Sequence, residues 1–140
     1  IKKARQYYSS LEGLTVAVLG LTFKPGTNDL REAPSIINVG ILLDDGAAVK
    51  AYDPVAEAEF DRLYPGKIKY CESPEQALEE ADLCMIFTEW EEIKKLTPQM
   101  FCNRMKKPVI LDGRNCFQIK ELEKLPLIYD SIGRRTVRNI

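Results

Sequence analysis

The sequence predicts an α/β fold: a doubly wound sheet of about six mostly parallel strands with helices on both faces. Three observations carry this. Residues 14–19 (LTVAVL), 83–87 (LCMIF) and 109–111 (VIL) are short and apolar without interruption, as strands buried on both faces are and half-exposed strands are not. Between the apolar runs lie helix-start and turn residues, so strand and helix alternate about five times. The length, 140 residues with 45% hydrophobic and 29% charged, matches one compact unit at ~150 residues per domain and excludes a disordered or fibrous chain.

In chain order, residues 1–12 carry helix-forming Lys, Ala, Arg, Gln and Leu ahead of Gly13, which predicts a leading helix with no obvious partner face. The first strand, 14–19, is followed by a long loop, 20–34, and an apolar helix from Ser35 to Asp45. Gly46 offers that helix a stop before a second strand at 48–52 (AVKAY). Asp53-Pro54, Ser73-Pro74 and Thr97-Pro98 each put a side-chain oxygen before a proline, whose missing N–H costs nothing in a first helical turn. Ser73 with Gln76 and Thr88 with Glu91 have capping-box spacing. Further strands are expected at 68–71 (IKYC), 83–87 and 109–111, with a weaker sixth at 127–130 (LIYD).

Composition removes several function classes. Twenty basic and 21 acidic residues leave a formal charge of -1, so no bulk field exists to hold a phosphate polymer or an anionic bilayer. No apolar stretch approaches the ~20 residues of a membrane span, and the basic start has no apolar stretch behind it. The expectation is a soluble, cytoplasmic chain without a nucleic-acid or membrane partner. Cys71, Cys84, Cys102 and Cys116 show no C-x-x-C spacing, which disfavours zinc, and Cys84 lies in an apolar run as a small core hydrophobe would. There is no histidine, which excludes a Ser-His-Asp or Cys-His hydrolase.

The loop at 20–34 (GLTFKPGTNDLREAP) is where chemistry is expected. Strand-to-helix connections usually take ~2–6 residues, and in an open parallel sheet ligands bind beyond the carboxyl ends of the strands. Gly20 and Gly26 do not have dinucleotide-fingerprint spacing, and Lys24 precedes its glycine instead of following a glycine run, so neither an NAD cradle nor a P-loop is encoded. The loop instead offers the cations Lys24 and Arg31, which suit phosphate oxygens. The alternative is that both are solvated and paired with Asp29 and Glu32. At the end of the fifth strand, Arg114 in LDGRN can project over the same crevice, or pair with Asp112 to close its own loop. Glu89, Glu91 and Glu92 complement a helix start and would repel phosphate, so they are assigned to structure, with Trp90 as a packing residue.

The loop 20–35, with Ala51-Tyr52-Asp53-Pro54, Thr88-Glu89-Trp90, Asp112-Gly113-Arg114-Asn115 and the ending 129–134 (YDSIGR), resembles the carboxy-terminal, UDP-sugar-binding domain of the UDP-glucose/GDP-mannose dehydrogenase family. Phe23-Lys24-Pro25-Gly26-Thr27 looks most like the UDP-glucose 6-dehydrogenase branch. The resemblance implies a Rossmann-like fold, with residues 1–13 as the end of a central dimer-forming helical region and 14–140 as the UDP-sugar-binding domain. It implies oxidation of UDP-glucose to UDP-glucuronate with two NAD, the NAD being bound mainly by an amino-terminal domain outside these residues, in a parent that is a homodimer or larger. By resemblance Phe23, Lys24 and Arg114 contact the UDP-sugar and Arg31 approaches the NAD. The family has Asp where this chain has Asn28 and Ser where it has Ala33. Its nucleophilic cysteine sits in a Cys-Phe-Pro-Lys-Asp setting that none of the four cysteines matches, so no catalytic residue or metal ligand is assigned and these residues alone are expected to be inactive. A GDP-mannose or UDP-N-acetylhexosamine dehydrogenase, or a stand-alone nucleotide-binding module, are the alternatives.

Overall fold

The computed structural model describes residues 1–140. Seven strands form one sheet: β1 (Thr15–Leu19), β2 (Ala48–Tyr52), β3 (Ile68–Tyr70), β4 (Leu83–Ile86), β5 (Val109–Asp112), β6 (Ile128–Asp130) and β7 (Val137–Arg138). Their order is β3-β2-β1-β4-β5-β6-β7, every pairing parallel except the last. The six expected strands are all present. The seventh, a two-residue antiparallel edge pairing Tyr129 with Val137, is an addition the sequence did not signal, because two residues carry no period.

Both faces of the sheet are covered, which is why the runs of its central strands β1, β4 and β5 are continuously apolar. Val16 and Val18 of β1 point into one core with Val49, Leu83, Met85 and Val109, under Val39 and Leu42 of α2 (Pro34–Asp44). Ala17 and Leu19 point into the other, with Ile86, Ile110 and Tyr129. That second core is covered by Leu78 of α4 (Pro74–Leu78), Phe101 of α6 (Pro98–Arg104) and Leu122 of α7 (Ile119–Leu122). Two short helices, α3 (Glu57–Asp61) and α5 (Glu91–Lys94), complete the connections that follow β2 and β4. No helix is long and apolar enough to cross a membrane.

Two helix-start expectations hold and two fail. Ser73 caps α4, its Oγ accepting the Gln76 N–H at 3.1 Å, and Thr97 precedes Pro98 at the start of α6. Asp53 does not start a helix: its carboxylate accepts the N–H groups of Val55 and Ala56, making a turn, and α3 begins only at Glu57. Thr88 caps nothing, because its hydroxyl donates to the Thr22 carbonyl. Thr88 is taken by a distant loop, whereas Asp53 divides its carboxylate, Oδ1 making the local turn and Oδ2 accepting the Leu21 N–H.

The leading helix is also shorter than expected. Only α1 (Ala4–Tyr7) is helical, and it has packing partners. Ala4 and Leu11 are buried in the core beneath α2. Lys3 pairs with Asp130 at 2.9 Å, the Tyr7 hydroxyl donates to the same carboxylate at 2.9 Å, and the Tyr8 hydroxyl donates to the Asp82 carbonyl. The chain order reverses between β1 and β4, so the loops leaving those strands diverge over one crevice. They touch at Gly20, whose φ of +85° is open to glycine and whose added Cβ would lie 2.5 Å from Thr88 Cβ.

Gly20→Ala is expected to cost ~2–4 kcal/mol through left-handed strain and overpacking, seen as a lower urea midpoint at unchanged m-value; an unaltered midpoint would remove this contact from the account. Burial, helped by the neighbouring Asp130 and Asp82 carboxylates, raises Tyr7 and Tyr8 from 10 to about 12. Their raised values in the folded chain mean that the stability they contribute is full below pH 10 and is lost as pH rises toward 12. Urea unfolding between pH 9 and pH 12 is expected to show this fall, with a shallower slope in Tyr7→Phe.

Candidate functional site

In a sheet of this strand order the first turn ordinarily cradles a dinucleotide pyrophosphate. Here that turn is already satisfied from within. Gly20 N–H donates to the Tyr52 carbonyl at 2.8 Å and Leu21 N–H to Asp53 Oδ2 at 2.8 Å. Ser35 Oγ donates to the Leu21 carbonyl, and the Thr22 carbonyl takes the Thr88 hydroxyl. Asp53 stands at the end of β2, where a dinucleotide site places its ribose-binding carboxylate, but it is 3% exposed and both its oxygens hold backbone N–H groups. With the Gly20 and Leu21 N–H groups and the Asp53 carboxylate spent, and the glycine's open side filled by Thr88, these residues do not fit NAD in its usual seat.

The open chemistry lies farther out on the same loop. Phe23, Lys24, Thr27, Asp29, Arg31 and Glu32 line a hollow of about 480 Å³. Its far wall is built on Asp29, whose N–H donates to Thr27 Oγ at 3.0 Å and whose Oδ1 accepts the Arg31 N–H at 2.9 Å. The Arg31 guanidinium grips both Asp29 oxygens, at 3.0 and 2.7 Å, and holds that carboxyl down at about 2. Arg31 is therefore paired with Asp29, as the solvated-loop alternative supposed, but not with Glu32, and its side chain stays 88% exposed. Lys24 forms no ion pair. The Asn28 amide donates to Glu59 at 3.0 Å, tying the loop to α3.

Arg114 reaches this loop from β5. Asp112 is buried and accepts the N–H of Arg114 at 2.9 Å, the N–H of Cys116 at 2.7 Å and the Tyr129 hydroxyl at 2.6 Å. Burial, with that carboxylate beside it, raises the Tyr129 phenol far above its ordinary value, so it stays a donor. Asn115, at φ +53°, exchanges two hydrogen bonds with the backbone of Ile132, at 3.0 and 2.9 Å. The Arg114 backbone is thus fastened on both sides. Its side chain does not pair with Asp112: the guanidinium carbon lies over the Phe23 ring, 5.6 Å from the centroid, Nε donates to Glu89 Oε2 at 2.9 Å, and Nη2 makes the ion pair with the same oxygen at 2.8 Å.

Phe23, Lys24 and Arg31 therefore surround one hollow, and Arg114 joins it at Phe23. Assigning all three carboxylates at 89–92 to the helix start needs correction. Glu91 pairs with Lys94 within α5, whereas Glu89 precedes the helix and serves Arg114. The two are 25 positions apart, a separation no local pattern reports. Trp90 packs in the core as expected. Burial pushes all four thiols up, and Cys116, with Asp112 beside it, stands at about 12. None is a ready thiolate nucleophile at neutral pH.

The model of the UDP-glucose/GDP-mannose dehydrogenase family, UDP binding domain, matches residues 17–119. The chain is 41% identical over 138 residues to the UDP-glucose 6-dehydrogenase TuaD of Bacillus subtilis, covering 99% of this chain and 30% of that protein. It is 41% identical over 128 residues to the UDP-glucose 6-dehydrogenase of Pseudomonas aeruginosa, covering 88% and 28%. Among solved structures, a UDP-glucose dehydrogenase from Pyrobaculum islandicum superposes with a TM-score of 0.75 at 28% identity, over 92% of this chain and 27% of that one. An NDP-N-acetyl-D-galactosaminuronic acid dehydrogenase from Methanosarcina mazei does so at 0.75 and 26%, over 96% and 28%. The chain spans about 30% of the length of the curated relatives it matches. With a doubly wound sheet whose first turn is closed to a dinucleotide and whose outer loop is open, and with this match, the chain belongs to the UDP-glucose/GDP-mannose dehydrogenase family, as its UDP-binding domain.

Proposed function

We propose that the domain grips the UDP-sugar in a UDP-glucose 6-dehydrogenase, which oxidises UDP-glucose to UDP-glucuronate with two NAD. The observation that carries this is that Lys24, free of any ion pair, adjoins Phe23, over whose ring the Arg114 guanidinium carbon lies 5.6 Å from the centroid. A lysine supplies a mobile point charge and an arginine a planar fork, and together they suit the two phosphates of a nucleoside diphosphate. Phe23, 46% exposed, adds an apolar surface beside them. The 41% identity to two UDP-glucose 6-dehydrogenases favours UDP-glucose over the N-acetylated or GDP-linked sugars of other family members.

The domain's contribution is orientation. A diphosphate held on a rim fastened by Asp112 and Asn115 fixes the sugar beyond it, and holding reactants in place removes part of the entropic barrier to reaction. The NAD is held by other parts of the parent, a homodimer or larger assembly in the cytoplasm. Arg31, standing out from the loop on Asp29, is the residue that meets it from this side. Residues 1–13 are the end of the parent's central helical region, and 14–140 are the substrate domain.

By titration calorimetry UDP is expected to bind the 140-residue chain, and Lys24→Ala and Arg114→Ala each to weaken it ~10-fold or more, by removing one charge-assisted contact. Unchanged affinity in both variants would overturn the assignment. The chain alone, given UDP-glucose and NAD, is expected to produce no NADH absorbance, since each thiol is held protonated; a steady rise would place the catalytic nucleophile within these residues.

A further inference from the structure

We infer that Glu89 is a positioning residue for Arg114: it fixes the guanidinium by one edge, so that the opposite edge is presented to the nucleotide's phosphates. This rests on the proposed role of Arg114. A guanidinium carries five N–H donors in a rigid plane, with two edges able to form paired hydrogen bonds. Nε of Arg114 donates to Glu89 Oε2 at 2.9 Å, and Nη2 stands 2.8 Å from the same oxygen in the ion pair. The plane is held a second time by the Phe23 ring beneath it. Nη1 bonds to nothing, so the edge shared by Nη1 and Nη2 is left free while the other is anchored.

The state of Glu89 indicates that it is there for Arg114 and not for packing. Its second oxygen, Oε1, is buried without any hydrogen-bond partner, an unfavourable condition that an apolar residue of the same shape would avoid. Arg114 and Glu89 are similarly shielded, at 29% and 28% exposure, so their pairing is neither free in solvent nor sealed in the core. The negative charge of Glu89 offsets that of Arg114, which makes the fork's direction, more than its net charge, what it offers a phosphate. The loop contributing Glu89 is held against the Phe23 loop by the Thr88–Thr22 hydrogen bond, so anchor and ring move as one.

The test is calorimetry on the 140-residue chain with UDP, inorganic pyrophosphate and uridine, with folding checked by urea titration. Glu89→Ala is expected to weaken UDP and pyrophosphate ~5–10-fold and leave uridine unchanged. Glu89→Gln is expected to stay within about twofold of the parent chain, because its amide oxygen can accept the same Nε–H group. In an Arg114→Ala background, Glu89→Ala should add no further loss. Glu89→Asp, which withdraws the oxygen by one carbon, carries the same test if the alanine variant does not fold, and weaker UDP binding is expected. Tighter or unchanged UDP binding on loss of Glu89, while Arg114→Ala still weakens it, would make Glu89 a competitor or a bystander and overturn this inference alone. No effect of Arg114→Ala would overturn the role of Arg114 and this inference with it.

Discussion

The contact on which the site depends is the one between the loops that leave β1 and β4, where Gly20 lies against Thr88 and the Thr88 hydroxyl donates to the Thr22 carbonyl. A side chain at position 20 would force these loops apart, and only glycine takes its φ of +85° without strain. The same contact fills the space in which such a sheet ordinarily receives a pyrophosphate. Asp53, Ser35 and Tyr52 take up the Gly20 and Leu21 N–H groups and the Leu21 carbonyl, so the first residues of the turn have nothing left to offer a ligand there. The fold keeps the framework of a dinucleotide site while closing its seat, and the available chemistry is carried outward to residues 23–32.

On that outer loop the charges are nearly balanced. Arg31 is neutralised by Asp29 and Arg114 by Glu89, while Lys24 and Glu32 line the hollow without an ion-pair partner. A rim of this kind does not attract anions by bulk field, in keeping with a chain whose formal charge is -1. What it presents is set by geometry: a fork held at one edge over an aromatic ring, and an ammonium free of any ion pair on the same loop. Precision comes from the backbone behind it, where Asp112 gathers two N–H groups and a phenol, and Asn115 exchanges two bonds with Ile132. The leading residues serve the same rigidity at the far edge, with Lys3 and Tyr7 both on Asp130 at the end of β6.

The strands were legible because the physics that buries them is local in sequence. A strand covered on both faces must be apolar at every position, so 14–19, 83–87 and 109–111 announced themselves, whereas β7, two residues at an antiparallel edge, had no pattern to announce. Capping signals were legible only where nothing distant competed. Ser73 kept its own helix, while Asp53 was drawn to Leu21 and Thr88 to Thr22, 32 and 66 positions away. Residues 1–12 had the composition of a helix, yet only Ala4–Tyr7 form one, because the tyrosines and Leu11 find their partners on the sheet and not along a helical face.

By itself the sequence determined the class of the fold and the length and residue types of the loop after β1, since apolar runs, turn chemistry and loop length act over a few neighbouring positions. Only the tertiary structure decided the pairing of the charges. Arg114 could have closed on Asp112, two residues away, but the register of β4 beside β5, Ile86 against Asp112, brings the loop carrying Glu89 next to the loop carrying Arg114. Which carboxylate an arginine meets is set by the strand that lies alongside, and that is a property of the sheet's order, not of any stretch of chain.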